Sequence, residues 1–272
     1  MFVDAHCHPF DLVAAFPRSE EERRSLGVSC AASAATLEEF EYCERLSLQA
    51  KKDNATPLLP CFAVHPQMAL IVKSTPNVTR YSLRDSLSAL DSLARQGRLA
   101  AVGETGFDLY NADFRETEKT QDELFAVHLE TCLRYDLPLV IHSRRAMHKI
   151  FANTGALKKC RAVVFHSWSG TEGEGEALLR QGVNAFFSFG ATITLNHKGA
   201  VRHKAQRCCA AFPPERLLTE TDAPFQPLRG REFSRYADIA AILGAMEALR
   251  NGEKMEEIIA RNFKMAFGGT GD

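Results

Sequence analysis

Two histidines one residue apart end the first apolar segment of the chain, Val3-Asp4-Ala5-His6-Cys7-His8. If this segment is a β-strand, alternate side chains point to the same face, so His6 and His8 aim at one point and Asp4 shares their face. Neutral imidazole is the commonest protein ligand for zinc-like ions and also binds iron, nickel and manganese. The pair therefore predicts half of a metal site.

Four further ionisable residues stand at or just after the end of an apolar segment elsewhere in the chain. They are Glu104, His142, His166 and Asp222, in the segments Ala101-Val102-Gly103-Glu104, Leu139-Val140-Ile141-His142, Val163-Val164-Phe165-His166 and Leu218-Thr219-Glu220-Thr221-Asp222. Burying such a group without a partner costs several kcal/mol. A shared metal site therefore explains the whole set better than a series of unrelated polar groups in the core.

Short apolar segments alternate with longer amphipathic or charged segments, which is typical of β/α units around a parallel sheet. The predicted strands are Phe2–His6, Gly27–Ser33, Leu58–Val64, Leu99–Glu104, Pro138–His142, Arg161–His166, Asn184–Ser188 and Arg216–Thr221. The predicted helices are Ser19–Leu26, Thr36–Lys52, Ser82–Gln96, Glu116–Tyr135, Arg145–Asn153, Glu172–Gln181, Ala200–Ala211, Ser234–Leu249 and Glu253–Phe267. The pattern predicts one α/β domain over residues 1–272, a (β/α)8 TIM barrel with an extra C-terminal helix.

In this fold the active site lies at the carboxyl ends of the strands, where the predicted ligands fall. Four imidazoles and two carboxylates are enough for two divalent ions, with Glu104 as the bridge between a His6, His8 and Asp222 group and a His142 and His166 group. Two such ions can clamp a displacement at a phosphate ester or an acyl bond and lower the pKa of a shared water toward 7. Asp222 is then the best candidate for the general base. The donor set suits zinc, manganese, nickel, iron or, more weakly, magnesium.

Composition limits the partners and the location of the protein. The chain has 33 basic and 34 acidic side chains and a formal net charge of −1. No overall positive field therefore exists to bind nucleic acid, so any such partner must be bound locally at the site. Eight cysteines show no C-x-x-C pair and no regular spacing, which indicates buried free thiols. With neither a signal peptide nor a membrane-spanning segment readable, we expect a cytoplasmic protein with no membrane partner and no obligate protein partner.

Five motifs of the sequence resemble those of the TatD-like metal-dependent deoxyribonucleases of the amidohydrolase superfamily. They are Asp4-x-His6-x-His8, Val102-Gly103-Glu104-x-Gly106-x-Asp108, Ile141-His142-Ser143-Arg144, His166-Ser167-Trp168-Ser169-Gly170 and Glu220-Thr221-Asp222-Ala223-Pro224. Their order and spacing fit over nearly the whole chain. The resemblance implies a barrel nuclease with the six ligands named above. It also implies that His65, in Ala63-Val64-His65-Pro66, lies at the site.

Residues beside the predicted ligands are candidates for contact with substrate. Besides His65, Arg144 follows a ligand closely and its guanidinium suits phosphate oxygens. Trp168, the only tryptophan, could stack on a base, worth ~1–3 kcal/mol, or could form a wall of the pocket. Asp108 is better explained as a partner that orients a ligand than as a ligand. The remaining histidines, which lack ligand spacing, are predicted to be structural or exposed: His128, His148, His197 and His203.

The expected activity is hydrolysis of phosphodiester bonds in DNA, on a single strand or at an accessible end, because the near-neutral surface offers little to hold a long duplex. One alternative is hydrolysis of a small-molecule ester or amide, or of an aminoacyl-RNA bond, by the same metals. A closed apolar pocket mouth would favour that alternative, whereas an open basic mouth favours a polymer. The other alternative is a metal-bound binding module without catalysis.

Overall fold

Eight parallel strands follow one another in chain order around a nearly closed barrel in the computed structural model, which describes residues 1–74, 82–194 and 199–268. The strands are β1 (Val3–Cys7), β2 (Ser29–Ala34), β3 (Leu58–Phe62), β4 (Ala101–Asp108), β5 (Leu139–Arg144), β6 (Val163–Phe165), β7 (Ala185–Phe189) and β8 (Leu217–Thr219). All eight predicted strands are present, and the predicted (β/α)8 class is confirmed.

Helices connect the strands and cover the outside of the barrel. In the described ranges they are α1 (Pro9–Ala15), α2 (Ser19–Ser25), α3 (Leu37–Lys52), α4 (Met68–Ser74), α5 (Leu83–Arg95), α6 (Ala112–Arg115), α7 (Glu118–Tyr135), α8 (Met147–Ala152), α9 (Thr154–Leu157), α10 (Glu172–Arg180), α11 (Ala200–Ala211), α12 (Ile239–Leu249) and α13 (Glu256–Phe267). Helix α13 is the extra C-terminal helix that the sequence predicts.

Local sequence explains where some helices begin. At α3 the Thr36 hydroxyl accepts a hydrogen bond from the Glu39 N–H at 3.3 Å, which satisfies one of the free donors of the first turn. Helix α1 was not predicted, although Pro9 occupies its first turn, where a missing N–H carries no penalty. Helix α12 begins five residues later than predicted: the Ser234 hydroxyl donates to the Thr221 carbonyl at 3.0 Å, and Tyr236–Asp238 form a 3-10 turn before the helix.

The seam between β8 and β1 closes the barrel and is held largely by side chains. The Thr219 hydroxyl donates to the Val3 carbonyl at 2.7 Å, where a sheet ladder would use a backbone N–H. Further along, the Asp4 carboxylate accepts hydrogen bonds from the backbone and the hydroxyl of Thr221. Two backbone hydrogen bonds then follow at the carboxyl ends of the two strands. The Asp222 N–H donates to the His6 carbonyl at 2.9 Å, and the His8 N–H donates to the Ala223 carbonyl at 2.8 Å. The seam therefore fixes two predicted ligands from opposite ends of the chain next to each other.

The strands are buried on both faces, as expected for a parallel sheet covered by helices. Aromatic rings fill one part of the core, where Phe187 packs against Phe165, Trp168 and Phe212. All eight cysteines are buried free thiols, as predicted. Among the described residues, no helix is both long enough and apolar enough to cross a bilayer.

Candidate metal centre

The predicted ligands converge at the carboxyl ends of the strands. His6 lies in β1 and His8 follows it, Glu104 and His142 lie in β4 and β5, His166 directly follows β6, and Asp222 comes three residues after β8. All are buried or nearly so. Their side chains form one cluster, which is called the donor cluster below.

The Glu104 carboxylate lies at the centre of the donor cluster and has a different set of neighbours at each oxygen. Its Oε2 is 3.1 Å from His6 Nε2 and 3.7 Å from His8 Nε2. Its Oε1 is 2.7 Å from His142 Nδ1 and 2.8 Å from His166 Nε2. One carboxylate thus lies between two pairs of imidazoles.

Asp222 adds a second carboxylate to the first pair of imidazoles. Its Oδ1 is 3.6 Å from His6 Nε2 and 3.4 Å from His8 Nε2. Its other oxygen, Oδ2, accepts a hydrogen bond from the Gln226 amide at 2.7 Å, and the same amide donates to the Ser167 hydroxyl at 2.9 Å. Gln226 therefore fixes which oxygen of Asp222 faces the histidines.

His65 joins the other side of the donor cluster. Its Nε2 is 3.2 Å from Glu104 Oε1, and its Nδ1 accepts a hydrogen bond from the Gln67 N–H at 3.2 Å. Because Nδ1 accepts, the ring proton of a neutral His65 resides on Nε2 unless a cation takes its place. The structure thus places His65 in direct contact with the central carboxylate, closer to the predicted ligands than a peripheral substrate contact would be.

The donor cluster fits divalent ions. His6 Nε2 and His8 Nε2 are 3.1 Å apart, and His142 Nδ1 and His166 Nε2 are 3.3 Å apart. Ligand atoms on one tetrahedral ion, each about 2.0–2.1 Å from the metal, lie about 3.3 Å from each other. Three overlapping groups have ligand atoms within 4.8 Å of one another: His6, His8 and Asp222; His6, Glu104 and His166; and His65, Glu104 and His142.

Electrostatics inside the cluster favours an ionised carboxylate at its centre. Burial raises the pKa of Glu104, but the imidazoles of His166, His65 and His6 outweigh burial and hold it well below its usual value. Burial lowers the pKa of His6 and of His65, which favours the neutral rings that bind metals. Burial also acts on His166, but Glu104 and Glu220 outweigh it and raise the pKa of His166 well above normal.

Asp108 lies behind His142, at the end of β4. Its Oδ2 is 3.3 Å from His142 Nε2, the ring nitrogen that faces away from Glu104. The same oxygen accepts a hydrogen bond from the Gln67 amide at 2.7 Å and from Arg144 Nη1 at 3.3 Å. Burial raises the pKa of Asp108, but the hydrogen bonds to His142 and Gln67 outweigh it and lower the pKa far below normal. An ionised Asp108 in this position orients the His142 ring.

Glu220 has a similar relationship to His166 and was not singled out from the sequence. Its Oε1 accepts the Ser167 N–H at 2.7 Å and lies 3.5 Å from His166 Nδ1. It is fully buried, like Asp4. The sequence indicates where both acidic side chains lie, because side chains two residues apart on a strand share a face. This alternation places Asp4 on the face of His6, and Glu220 on the face of Asp222.

Gly106 allows β4 and β5 to approach closely beside the donor cluster. It has a φ of +135°, and a Cβ built on it would lie 2.2 Å from the carbonyl oxygen of His142. No side chain can be accommodated there without moving the backbone that carries His142.

Two of the predicted substrate contacts differ in their placement. The Arg144 guanidinium lies beside Asp108 and is partly exposed at the edge of the donor cluster. Trp168 is only 4% exposed and packs against Phe165, Phe187 and Phe212, so a nucleic-acid base cannot reach its ring. The base-stacking prediction for Trp168 is therefore wrong, because its side chain turns into the aromatic core while His166 faces the site.

The other histidines lie outside the donor cluster. His128 is fully buried, where its Nε2 accepts the Val64 N–H at 2.8 Å, and it is structural as predicted. His148 and His203 are exposed, also as predicted. His197 falls outside the described residues.

Together, an eight-stranded α/β barrel and a buried cluster of imidazoles and carboxylates at its carboxyl end define a metal-dependent hydrolase. A family model described as TatD related DNase matches residues 3–268, nearly the whole chain. The chain belongs to this family, and the resemblance noted in its motifs is confirmed.

Individual relatives agree with this assignment. The uncharacterized metal-dependent hydrolase YjjV of Escherichia coli K12 is 31% identical over 235 residues, which cover 84% of this chain and 82% of the relative. A protein of Klebsiella pneumoniae named 3'-5' ssDNA/RNA exonuclease TatD is 29% identical over 190 residues, 66% of this chain and 69% of the relative. The crystal structure of the E. coli YjjV protein, a TatD homologue, superposes with a TM-score of 0.80 at 26% identity and covers 98% of both chains.

Proposed function

We propose that this protein is a nuclease that hydrolyses phosphodiester bonds in DNA, on single strands or at accessible ends, with two divalent ions in the donor cluster. The observation that carries the proposal is the Glu104 carboxylate between two pairs of imidazoles, His6 with His8 and His142 with His166. A carboxylate in that position can be shared by two ions, which is the arrangement used to cleave phosphodiesters. The relative from Klebsiella pneumoniae, named as an exonuclease of single-stranded DNA and RNA, supports the choice of substrate.

The candidate ligands of the first ion are His6, His8, Asp222 and Glu104, and those of the second are His142, His166 and Glu104. His65 Nε2 lies 3.2 Å from Glu104 Oε1, on the side of the second ion. When bound, such ions supply Lewis-acid polarisation of the phosphoryl group and a water of lowered pKa. Candidate metals are zinc, manganese, magnesium, nickel and iron.

Asp222 is the proposed general base. Of the two carboxylates in the donor cluster, Glu104 is enclosed by imidazoles, whereas Asp222 lies at the more accessible edge beside His8. Burial raises the pKa of Asp222, but its hydrogen bond to His8 and the nearby His166 and His6 lower it overall, so it is ionised and can accept a proton. It takes the proton from the attacking water as the water oxygen bonds to phosphorus; the P–O bond to the leaving nucleotide oxygen breaks, and that oxygen takes up a proton from solvent.

Arg144 is the proposed contact for a non-bridging phosphate oxygen. Its Nη1 is held 3.3 Å from Asp108, which fixes the guanidinium at the edge of the donor cluster. Within residues 1–74, 82–194 and 199–268 its other N–H groups have no hydrogen-bond acceptor, so they can face a substrate. The exposed Arg145 follows it directly. A basic rim of this kind favours a polymeric phosphodiester over a small apolar ester.

The proposal is tested with protein stripped of metal and resupplied separately with magnesium, manganese and zinc. End-labelled single-stranded DNA, the matching duplex and single-stranded RNA are the substrates, and Glu104→Ala is the control. We expect cleavage of single strands to return with metal in the wild type and to be absent in the variant. If no nucleic acid is cut although ions bind, the nuclease proposal fails, and hydrolysis of a small ester or amide, of an aminoacyl-RNA bond, or binding without turnover replaces it.

A further inference from the structure

An exposed aromatic ring borders the donor cluster on the β8 side. Phe225 is 58% exposed, and its ring meets the His8 ring edge to face with the centroids 5.0 Å apart. The backbone holds it there, because the Phe225 N–H donates to the Asp222 carbonyl at 2.7 Å. A ring that is fixed beside candidate ligands and open to solvent is positioned to stack on a flat group of the substrate.

Two adjacent guanidiniums border the donor cluster near the ends of β4 and β5. The Cζ atoms of Arg144 and Arg145 lie 4.2 and 4.6 Å from the centroid of the Tyr110 ring. Arg145 Nη1 also donates to the Tyr110 carbonyl at 3.0 Å, and the Arg145 backbone has a φ of 55°, which non-glycine residues rarely adopt. Tyr110 therefore orders both cations against one ring.

This pair keeps an uncompensated positive charge. Arg144 shares the Asp108 carboxylate with His142 and Gln67. Arg145 is exposed and has no carboxylate within salt-bridge distance in residues 1–74, 82–194 and 199–268. Guanidiniums that are held in place and not neutralised fit a phosphate group, to which they donate two parallel hydrogen bonds.

The ring and the arginine pair lie on opposite sides of Glu104. Phe225 contacts His8, which is on the Oε2 side of the carboxylate, and Arg144 reaches His142, on the Oε1 side, through Asp108. Strand β5, which ends at Arg144, is three positions from β8 in a sheet of eight, so the two features also lie on different sides of the barrel. A phosphate over Glu104 would have an aromatic platform on one side and a cationic pair on the other.

We infer that a single strand of nucleic acid crosses the donor cluster, with one base stacked on Phe225 and the phosphate of the adjacent linkage bound by Arg144 and Arg145. The inference rests on the proposed nuclease function and deepens it. The inferred substrate is a polymer with a nucleotide on each side of the cleaved bond, because a phosphomonoester or a small ester would engage at most one of these two contacts.

The base contact is tested with short single-stranded DNA in which one base next to the cleaved linkage is replaced by an abasic sugar. Loss of a stacked base raises the KM of the wild type roughly 5- to 150-fold. Phe225→Ala raises the KM for the normal strand by a similar factor and shows no further increase with the abasic strand, while Phe225→Tyr stays near wild type. Leu48→Ala, which truncates an exposed apolar side chain on α3, is the matched control.

The phosphate contact is tested with a strand that carries one neutral methylphosphonate linkage beside the cleaved bond. The wild type loses affinity for this strand, whereas Arg145→Gln binds both strands equally weakly. Tyr110→Leu behaves like Arg145→Gln, and Tyr110→Phe, which keeps the ring, restores binding. Arg207→Gln, at an exposed position on α11, leaves the preference for the charged strand unchanged.

The outcomes separate the inference from the proposed function. If the wild type cleaves single strands but Phe225→Ala and Arg145→Gln change the KM equally for normal and modified strands, or not at all, the inference is overturned and the nuclease function stands. If the wild type cleaves no strand with any metal, both fail.

Discussion

The Asp4 carboxylate accepts two hydrogen bonds from Thr221, one from the backbone N–H at 2.9 Å and one from the hydroxyl at 2.6 Å. Both residues are fully buried at the seam of the barrel, two positions before His6 and one before Asp222. Burial raises the pKa of Asp4 to about 7 in spite of these bonds. The contact therefore joins the first and last strands at the point where each delivers a candidate ligand.

Removal of the hydroxyl from this contact weakens the seam. Thr221→Val keeps the volume but leaves one oxygen of Asp4 without its donor, so we expect a loss of about 1–3 kcal/mol in the free energy of unfolding. Metal affinity falls as well, because His6 and Asp222 lose their fixed spacing. Urea unfolding in EDTA and metal titration measure the two effects. Thr131→Val, which removes a buried hydroxyl that donates to the Val127 carbonyl within α7, should leave metal affinity unchanged.

Asp108→Asn tests the orientation of His142. An amide can place an N–H against His142 Nε2 where the carboxylate accepted a hydrogen bond, so the ring loses the partner that fixes its proton on the far nitrogen. Loss of such a partner lowers metal affinity or activity by about 10–100-fold. The measurement is competition with a metal chelator. Asp113→Asn, at an exposed position in α6, is the control, and equal affinities in the two variants would contradict the assigned role.

His128 makes folding stability depend on pH in weakly acidic solution. Burial lowers the pKa of His128 from 6.5 to about 4, so the folded protein keeps the ring neutral where the unfolded chain protonates it. Its contribution is complete above pH 6.5 and is lost as pH falls toward 4, by about 2–3 kcal/mol at pH 4.5.

The test compares urea unfolding of metal-free wild type and His128→Gln at pH 7 and pH 4.5. The variant is less stable at pH 7, because the Val64 N–H loses its acceptor, but it loses less stability on acidification. His148→Gln, on the exposed face of α8, should follow the wild type at both values. If His128→Gln loses as much free energy of unfolding as the wild type between pH 7 and pH 4.5, the role assigned to His128 is contradicted.

Strand order and ligand positions could be predicted because each depends on a local pattern. An apolar segment that ends in His or Glu predicts a strand, and it also predicts that the last side chain lies at the carboxyl edge of the sheet. Glu104, His142 and His166 can therefore be identified from the sequence alone. The exact ends were harder: β4 continues to Asp108, past the predicted end at Glu104, because Gly106 lets it pair closely with β5.

Side-chain directions and contacts distant in sequence could not be predicted. Trp168 adjoins a candidate ligand in sequence but turns into the core, whereas Phe225, three residues from Asp222, is exposed beside His8. Gln226 reaches Asp222 only because the chain turns back after β8. In each case the deciding factor is how a loop after a strand folds over the barrel, which two-residue alternation does not specify.

The most direct test of the shared-carboxylate account measures bound metal and cleavage of single-stranded DNA in the same samples of wild type, Glu104→Gln and Glu215→Gln. Glu215 is exposed and precedes β8, at the end of that strand away from the donor cluster, so its variant controls for the loss of one negative charge. We predict about two ions per chain and cleavage in the wild type and in Glu215→Gln. Glu104→Gln should lose metal and at least about 100-fold in activity. Full metal content together with wild-type cleavage in Glu104→Gln would contradict the account.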